Sequence, residues 1–162
     1  MGLLTYTWAL HGKQPTVKTS GIRKGYKVMG FIDYFTGKFF YKCREGRLNS
    51  ESYQQFLSEL LRKTKKHLII IQDGARYHTS TDTKKFFNNH SNRITVFQLP
   101  AYSPDFNPIE KLWKKIKEKE IHLHYFPDFE SLTTRVNEAP VNFENMQDEI
   151  LSLFGFYERI AG

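Results

Sequence analysis

The sequence predicts a single α/β domain in which helices flank a mixed sheet. Three observations predict it: a length that suits one domain, two strand-like segments around a turn, and two short apolar runs with a polar helical segment between them. No repeat, low-complexity tract or Pro/Gly/Ser-rich linker divides the 162 residues. One layered domain over residues 1–162 therefore accounts for the chain.

The first elements are a β-hairpin and an amphipathic helix. Residues 26–33 and 38–44 are rich in aromatic and aliphatic side chains and flank Phe35-Thr36-Gly37, a pattern typical of two strands joined by a turn. A helix is expected to begin near Asn49 or Ser50. Apolar side chains then recur at the spacing of one helix face, namely Tyr53, Phe56, Leu57, Leu60 and Leu61.

Strand and helix alternate in the rest of the chain. The short apolar run at residues 67–72 is expected to be a strand covered on both faces. The elements expected after it are a polar helix around residues 81–89, a strand at 94–99, a lysine-rich helix from Asn107 to about Lys119, and one or two helices beyond Pro127.

Composition excludes several classes of protein. Hydrophobic residues make up 40% of the chain and aromatic residues 15%, which excludes an intrinsically disordered chain. The single cysteine, Cys43, excludes an internal disulfide framework and a multi-cysteine metal site. No apolar run approaches the roughly 20 residues of a membrane span, and residues 1–10 have no cationic segment like that of a signal peptide. We expect a cytoplasmic protein, nucleoid-associated if bacterial, without a membrane partner or a small-molecule cofactor.

The charge balance favours a polyanionic partner. The chain has 24 basic and 17 acidic residues, a net charge of +7, and a basic surface concentrates nucleic acid near it. Many small proteins are basic for no specific reason, so the placement of the lysines carries more weight. One cluster consists of Lys111, Lys114, Lys115, Lys117 and Lys119. These side chains are expected to contact DNA phosphates without reading base sequence.

Asp73 and Glu110 are the candidate catalytic acids, and each has a structural alternative. Asp73 follows an apolar strand, where ligands collect in open α/β sheets, but an aspartate before Gly74 also commonly starts a turn. Glu110 lies in the first turn of the lysine-rich helix, where it would also suit a capping box with Asn107 as N-cap and Pro108 at the first helical position.

Helical geometry makes the two acids a plausible pair. Glu110 lies about 100° around the helix from Ile109, so it is expected to border the core rather than face water. The core-facing stripe of this helix is Ile109, Leu112, Trp113 and Ile116. Two carboxylates from adjacent elements beside a lysine row suit a Mg²⁺ site that acts on a phosphodiester. In a two-metal site, with ions roughly 4 Å apart, one ion activates the attacking oxygen and the other stabilises the leaving oxygen.

Other polar residues are weaker candidates. His122 and His124 lack nearby residues that would complete a zinc site, and we interpret them as incidental. Asp33 is explained by the hairpin turn. His78 could touch a phosphate near Asp73, although a hydrogen bond within the loop is the simpler interpretation. Cys43 is expected to be buried and inert, and no Walker-type glycine loop supports ATP hydrolysis.

Two motifs closely resemble the catalytic core of mariner-like insertion-sequence transposases of the DDE superfamily. They are IIIQDGARYH at residues 69–78 and LPAYSPDFNPIEKLW at residues 99–113. The separation of Asp73 and Glu110 along the chain also fits the spacing typical of this family. The resemblance implies an RNase H-like fold.

The resemblance also implies roles for individual residues. Asp73 is similar to the family's second metal-binding aspartate, and Glu110 to the final acid of its triad. The loop that orients the final acid is matched by Tyr102, Ser103, Pro104, Asp105, Asn107 and Pro108. The implied reaction depends on Mg²⁺ or Mn²⁺: water cleaves a DNA strand at the element's end, and the 3′ hydroxyl then attacks target DNA. The implied partners are terminal-repeat and target DNA, with self-association in a DNA complex.

The chain resembles the family at residues 7–15 but departs from the family pattern upstream of them. The family's first aspartate lies upstream of the segment that these residues resemble, on the central strand of the RNase H-like sheet, and the helix-turn-helix region is not matched either. We therefore expect this chain alone to be nearly inactive and marginally stable. Asp33 is a poor replacement because it lies at a hairpin end. The alternatives are a non-catalytic DNA-binding remnant, and a different RNase H-like nuclease such as a resolvase, which the Ser103-to-Glu110 motif disfavours.

Overall fold

The computed structural model describes residues 25–101, 103–122 and 124–155. Four strands and six α-helices follow one another along the described residues, and all but the short helix at Arg76–Thr79 lie where the sequence predicts an element. They are β1 (Tyr26–Ile32), β2 (Phe39–Glu45), α1 (Ser50–Lys63), β3 (Leu68–Gln72), α2 (Arg76–Thr79), α3 (Thr81–Asn89), β4 (Ile94–Gln98), α4 (Pro108–Ile116), α5 (Phe129–Glu138) and α6 (Gln147–Ser152). Single 3₁₀ turns span Pro104–Phe106 and Val141–Phe143, and a π-helical turn spans Lys117–Ile121.

The predicted hairpin is confirmed. β1 and β2 pair antiparallel, with Tyr26 opposite Glu45 and Ile32 opposite Phe39. In the turn, Oδ1 of Asp33 accepts hydrogen bonds from the backbone N–H groups of Phe35 and Thr36, so the turn role expected of Asp33 is confirmed too.

The predicted amphipathic helix is α1, and Asn49 is its N-cap. The Asn49 side chain accepts a hydrogen bond from the Ser52 N–H while the Ser52 hydroxyl accepts one from the Asn49 N–H, which forms a capping box. These bonds satisfy two backbone donors that the first turn otherwise leaves unpaired. Tyr53, Phe56 and Leu57 on the apolar face are buried.

The second pair of strands, β3 and β4, is parallel. Leu68 is opposite Ile94, and Gln72 is opposite Gln98. The crossover between them contains α2 and α3, as a parallel pair requires. Both strands therefore end at the same edge, directly before Asp73 and Leu99.

Two apolar clusters form the core. The first joins both strand pairs to α1 and consists of Met29, Tyr53, Phe56, Leu57, Ile70 and Ile94. The second packs the opposite face of the hairpin against the C-terminal helices and consists of Phe39, Leu112, Ile116, Ala139, Phe143 and Ile150. The hairpin is thus covered on both faces.

The expectation that the strand at residues 67–72 is covered on both faces is wrong for the described part of the chain. Ile70 is only 6% exposed, but its neighbours Ile69 and Ile71 are 68% and 60% exposed. Successive side chains of a strand point to opposite faces, and only the face that carries Ile70 packs in the first cluster, with α1.

Among the described residues, β1 pairs only with β2 and β3 pairs only with β4. β1 and β3 therefore each have one edge without a described partner strand. Both strands contribute to the first apolar cluster, through Met29 and Ile70, so the two pairs share one core although no described hydrogen-bond ladder joins them.

The predicted lysine-rich helix changes its form before its expected end. α4 ends at Ile116, and the π-helical turn follows it directly. Glu120 in this turn is buried and forms an ion pair with Arg135 of α5, at 2.6 Å. Within the described ranges, no helix is long and apolar enough to cross a membrane.

Candidate metal and nucleic-acid site

Asp73 lies at the carboxyl end of β3 and has one oxygen engaged in local hydrogen bonds. Oδ1 accepts from the backbone N–H of Ala75 at 3.0 Å, which confirms the expected turn, and from Nδ1 of His78 at 2.7 Å. The side chain is 46% exposed. Within the described part of the chain, no donor bonds to Oδ2, so this oxygen is open to a ligand.

His78 is packed behind Asp73. Its side chain is only 13% exposed, and its ring lies 4.4 Å from the ring of Tyr53 and 4.3 Å from that of Tyr77, centroid to centroid. A carboxylate only accepts hydrogen bonds, so the bond to Asp73 requires a proton on Nδ1. The hydrogen bond within the loop is thus observed, and a contact between His78 and a DNA phosphate stays a prediction.

Glu110 lies in the first turn of α4. Asn107 is the N-cap and Pro108 the first helical residue, as predicted, but among the described residues no side chain caps this helix. The capping box offered as an alternative role for Glu110 therefore does not form. The expectation that Glu110 borders the core is also wrong, because the residue is exposed. Leu112 and Ile116 carry the buried contact of this helix and leave Glu110 on its outer flank.

A glycine in β1 allows the helix of Glu110 to approach the sheet closely. A Cβ atom at Gly30 would lie 2.8 Å from Cζ2 of Trp113, closer than real Cβ atoms approach another atom. Trp113 also packs edge-to-face on Phe39, with ring centroids 5.5 Å apart. Sequence reasoning missed Gly30, although a glycine inside a strand pattern commonly indicates close packing of another element.

Tyr77 links the two acids electrostatically. Burial raises the pKa of the Tyr77 hydroxyl above its usual value, and the negative charges of Asp73 and Glu110 raise it further. Both carboxylates therefore act on one hydroxyl, although they belong to elements far apart in sequence. Sequence reasoning assigned no role to Tyr77, because an aromatic residue in a short helix has no distinctive pattern.

The loop before Glu110 contains hydrogen bonds to backbone carbonyl groups. The Ser103 hydroxyl donates to the carbonyl of Ala101 at 3.3 Å, and the Asn107 N–H donates to the carbonyl of Pro104 at 3.0 Å. Asp105 lies in the 3₁₀ turn and is exposed. The predicted supporting residue Tyr102 lies outside the described residues.

Four of the five predicted DNA-binding lysines divide into two pairs, and the fifth, Lys119, lies over the ring of Phe143 with Nζ 5.4 Å from its centroid. Lys111 donates to the carbonyl of Leu153 at 3.4 Å, and Lys115 pairs with Glu149 at 2.8 Å, so these two lysines contact the C-terminal segment. The hydrogen bond from Lys115 lowers the pKa of the Glu149 carboxyl. The other two, Lys114 and Lys117, are exposed. They follow Glu110 at i+4 and i+7, which places them on its flank.

The remaining candidates do not form a second site. Nδ1 of His124 contacts the carbonyl of His122 at 3.1 Å, and in the described ranges no group of three His, Cys, Asp or Glu side chains is arranged to hold a metal ion. Cys43 is partly buried, and burial raises the pKa of its thiol. A raised pKa lowers the fraction of thiolate, but the expected full burial of Cys43 is not observed.

The two acids fit a magnesium ion in their donor chemistry. Mg²⁺ takes oxygen ligands, is held by one or two carboxylates and keeps several of its own waters. Oδ2 of Asp73 and the Glu110 carboxylate are such ligands. Among the described residues, neither Oδ2 of Asp73 nor the Glu110 carboxylate forms a hydrogen bond or an ion pair.

Fold and sequence together define the class of this protein. The model of the DDE superfamily endonuclease family matches residues 2–133, so the chain belongs to that family. It is 31% identical over 116 residues to an insertion element IS630 uncharacterized 39 kDa protein of Shigella sonnei, covering 68% of this chain and 32% of the relative. It is also 38% identical over 72 residues to the transposable element Tc3 transposase of Caenorhabditis elegans, covering 41% of this chain and 21% of that protein.

Solved structures of a mariner transposase share the fold. The Mos1 mariner paired end complex with Mn matches with a TM-score of 0.69 and 18% identity over 93% of this chain and 46% of that one. The Mos1 strand transfer complex matches with a TM-score of 0.60 and 18% identity, covering 93% and 50%. The predicted RNase H-like α/β fold and the mariner-like DDE family are thereby confirmed. The chain spans about a third or less of the length of the Shigella sonnei and Caenorhabditis elegans relatives.

Proposed function

We propose that this chain carries the catalytic site of a transposase that cleaves a DNA strand and joins its 3′ end to target DNA, with Asp73 and Glu110 as metal ligands. The support for the proposal is that the charges of both acids, one at the end of β3 and one in the first turn of α4, add to the effect of burial in raising the pKa of the Tyr77 hydroxyl. The turn at Asp73 engages only one of its carboxylate oxygens, and the capping box that would explain Glu110 does not form. The family relationship supports the same chemistry.

Each acid has a defined part in this proposal. Asp73 offers Oδ2 while its Oδ1 is held by the loop, and Glu110 offers a carboxylate that no capping box engages. When bound, Mg²⁺ or Mn²⁺ would lower the pKa of attacking water and stabilise charge on the leaving oxygen. The two carboxylates would hold the metal at the edge of the sheet, where it would support an in-line displacement at phosphorus.

A third carboxylate is part of the proposal. Residues 1–24 contain no Asp or Glu, and Asp33 uses its carboxylate in the hairpin turn. We infer that a further acid completes the site, carried next to the end of β3 by a strand that pairs with the edges of β1 and β3 that have no described partner strand. Because backbone groups at those edges need hydrogen-bond partners, the same strand would also stabilise the fold.

The proposed substrate is double-stranded DNA, as element ends and as target. Lys114 and Lys117 lie on the flank of Glu110 and would contact backbone phosphates, which position DNA without reading its sequence. Lys111 and Lys115 can join them only by giving up contacts with the C-terminal segment. Self-association of the chain in a DNA complex is part of the proposal, since two element ends must be held together.

The test is cleavage of labelled terminal-repeat DNA with Mg²⁺ or Mn²⁺, with and without a supplied segment that carries the third acid. We expect activity with that segment, and a loss of at least about 100-fold in Asp73→Asn and in Glu110→Gln. Glu118→Gln is the matched control, because this exposed acid follows Glu110 by two turns and makes only a 4.0 Å contact with Lys114. Cleavage that survives both acid substitutions would refute the proposal.

A non-catalytic DNA-binding remnant is the second candidate. It is favoured by one observation: the described residues hold no group of three metal-binding side chains. On this alternative the basic face of α4 still binds DNA, and the acids are relics. DNA binding without cleavage, under every combination of metal and added segment, would select it.

A further inference from the structure

We propose that His78 is a positioning residue for Asp73: its Nδ1–H holds Oδ1 and thereby presents Oδ2 to the metal ion. This inference rests on the proposed function and adds to it a residue that acts on the metal site through Asp73. It concerns hydrogen-bond geometry, so its test separates the bond itself from the mere presence of an imidazole.

The hydrogen bonds of Asp73 are asymmetric between its two oxygens. Oδ1 receives two donors, the Ala75 N–H at 3.0 Å and Nδ1 of His78 at 2.7 Å. A carboxylate oxygen has about two lone-pair sites, so Oδ1 is fully used. Oδ2 has no donor among the described residues and remains the natural ligand atom. Two bonds from different directions also stop the carboxylate from rotating about its Cβ–Cγ bond.

The imidazole is itself held in place. It packs against two aromatic rings, those of Tyr53 and Tyr77, at centroid distances of 4.4 and 4.3 Å. Tyr53 is almost fully buried in α1, and its hydroxyl donates to the side chain of Gln72, the last residue of β3. Nδ1 also lies 3.2 Å from the Asp73 carbonyl oxygen. Helix α1, the end of β3 and the loop after it therefore all fix the position of Nδ1.

A ligand that is held in advance binds its metal more tightly, since less freedom is lost on binding. Removal of such outer partners typically costs about 10- to 100-fold in metal affinity or activity. Loss of the His78 bond would leave Oδ1 with only the Ala75 N–H and free the carboxylate to turn. We therefore expect weaker metal binding without any change in the ligands themselves.

The experiment compares three substitutions in the full chain by titration with Mn²⁺, with calorimetry as the readout. In His78→Asn the amide Nδ2 takes approximately the place of Nδ1, whereas in His78→Gln the amide nitrogen lies nearer the place of Nε2. His78→Leu has no donor. We expect Mn²⁺ affinity to fall about 10- to 100-fold in the Gln and Leu variants and to recover to within about threefold of wild type in the Asn variant.

Two further variants make the outcomes distinguishable. His90→Leu is the matched control, since Nδ1 of His90 bonds the Phe86 carbonyl at the end of α3 and the loss of this bond should leave Mn²⁺ affinity unchanged. Asp73→Asn tests the proposed function: if it binds Mn²⁺ like wild type, the proposed site fails. If Asp73→Asn loses binding while all three His78 variants bind like wild type, only the positioning role fails.

A measurement on the unmodified chain covers the case in which a His78 variant does not fold. Nitrogen-15 NMR of the imidazole is expected to show a proton on Nδ1 of His78, because the carboxylate cannot donate one. An imidazole protonated only on Nε2 would overturn the proposal, and so would equal loss of Mn²⁺ affinity in the folded Asn, Gln and Leu variants.

Discussion

A single residue can have a structural and a chemical interpretation at once, and Asp73 is an example. Asp73 forms the turn expected of an Asp-Gly pair through Oδ1, and the same geometry leaves Oδ2 open. The structural and the chemical interpretation of this residue therefore do not compete. Glu110 differs, because its structural alternative, the capping box, does not form. The sequence could name both acids, but only the hydrogen bonds show which of their oxygens is engaged.

Tyr41 provides a prediction at the residue scale. Burial, and then a hydrogen bond to the Glu144 carboxylate, raise the pKa of Tyr41 to about 12. At about pH 11 the absorbance difference between wild type and Tyr41→Phe should be close to zero in the folded chain. In urea it should approach one full tyrosinate, because the unfolded hydroxyl ionises near pH 10. Ultraviolet absorbance measures both, and an equal difference in the two states would contradict the prediction.

The same shift predicts how stability depends on pH. The folded pKa of Tyr41 lies above the unfolded value of 10.0, so between about pH 10 and 12 the unfolded chain binds fewer protons. This residue's contribution to stability is complete below pH 10 and is lost as the pH rises toward 12. Urea denaturation should therefore show a shallower alkaline loss of stability in Tyr41→Phe than in wild type.

At the scale of elements, the local sequence pattern predicted well where strands and helices lie, but it predicted poorly where the lysine-rich helix ends. The strand expected at residues 67–72 is observed as β3 (Leu68–Gln72), and the helix expected near Asn49 begins at Ser50. Both segments have apolar periodicity and clear end signals. The lysine-rich helix instead gives way to a π-helical turn at Lys117. That turn has alternating charges, which the sequence alone does not distinguish from an ordinary helix end.

The turn is held by an ion pair that sequence reasoning did not identify. Glu120 is buried and bonds Nη2 of Arg135 at 2.6 Å, while Nε of Arg135 donates to the Glu120 carbonyl at 3.1 Å. Removal of one partner leaves a buried charge without compensation. We expect Arg135→Met to lower the free energy of unfolding by about 3 kcal/mol, measured by urea denaturation.

Two comparisons test whether the ion pair between Glu120 and Arg135 stabilises the fold. Glu118→Gln breaks only the exposed contact with Lys114 and should change stability by less than about 0.5 kcal/mol. The double substitution Glu120→Met with Arg135→Met removes both charges and should regain much of the loss, since apolar replacement of a buried pair is often neutral. Equal effects of the Arg135 and Glu118 substitutions would contradict the assignment.

At the scale of the whole molecule, the two strand pairs differ in how they are covered. The hairpin lies between the two apolar clusters, whereas β3 and β4 use one face and expose Ile69, Ile71 and Phe97 on the other in the described part of the chain. The sequence could not predict this difference, because an apolar run in a strand does not say how many layers will pack on it.

Two neighbouring isoleucines of β3 test directly which face of this strand is buried. Ile70 is 6% exposed and Ile69 is 68% exposed, so the two differ in burial but share strand and residue type. We expect Ile70→Ala to lower the free energy of unfolding by about 3 kcal/mol and Ile69→Ala by less than about 1 kcal/mol, again by urea denaturation. Similar losses in both variants would mean that the outer face is covered in solution.

The sequence by itself determined most of the strands and helices and the family, and it predicted the two acids, because these depend on local periodicity and on contiguous motifs. Tertiary structure alone decided which face of β3 is exposed and that Glu110 faces outward. It also decided that Trp113 packs over Gly30, and that His78 bonds Asp73 while packing against Tyr53. The physical reason is that burial, close approach and electrostatic reach depend on atoms from segments distant in sequence, and these meet only when the layers pack.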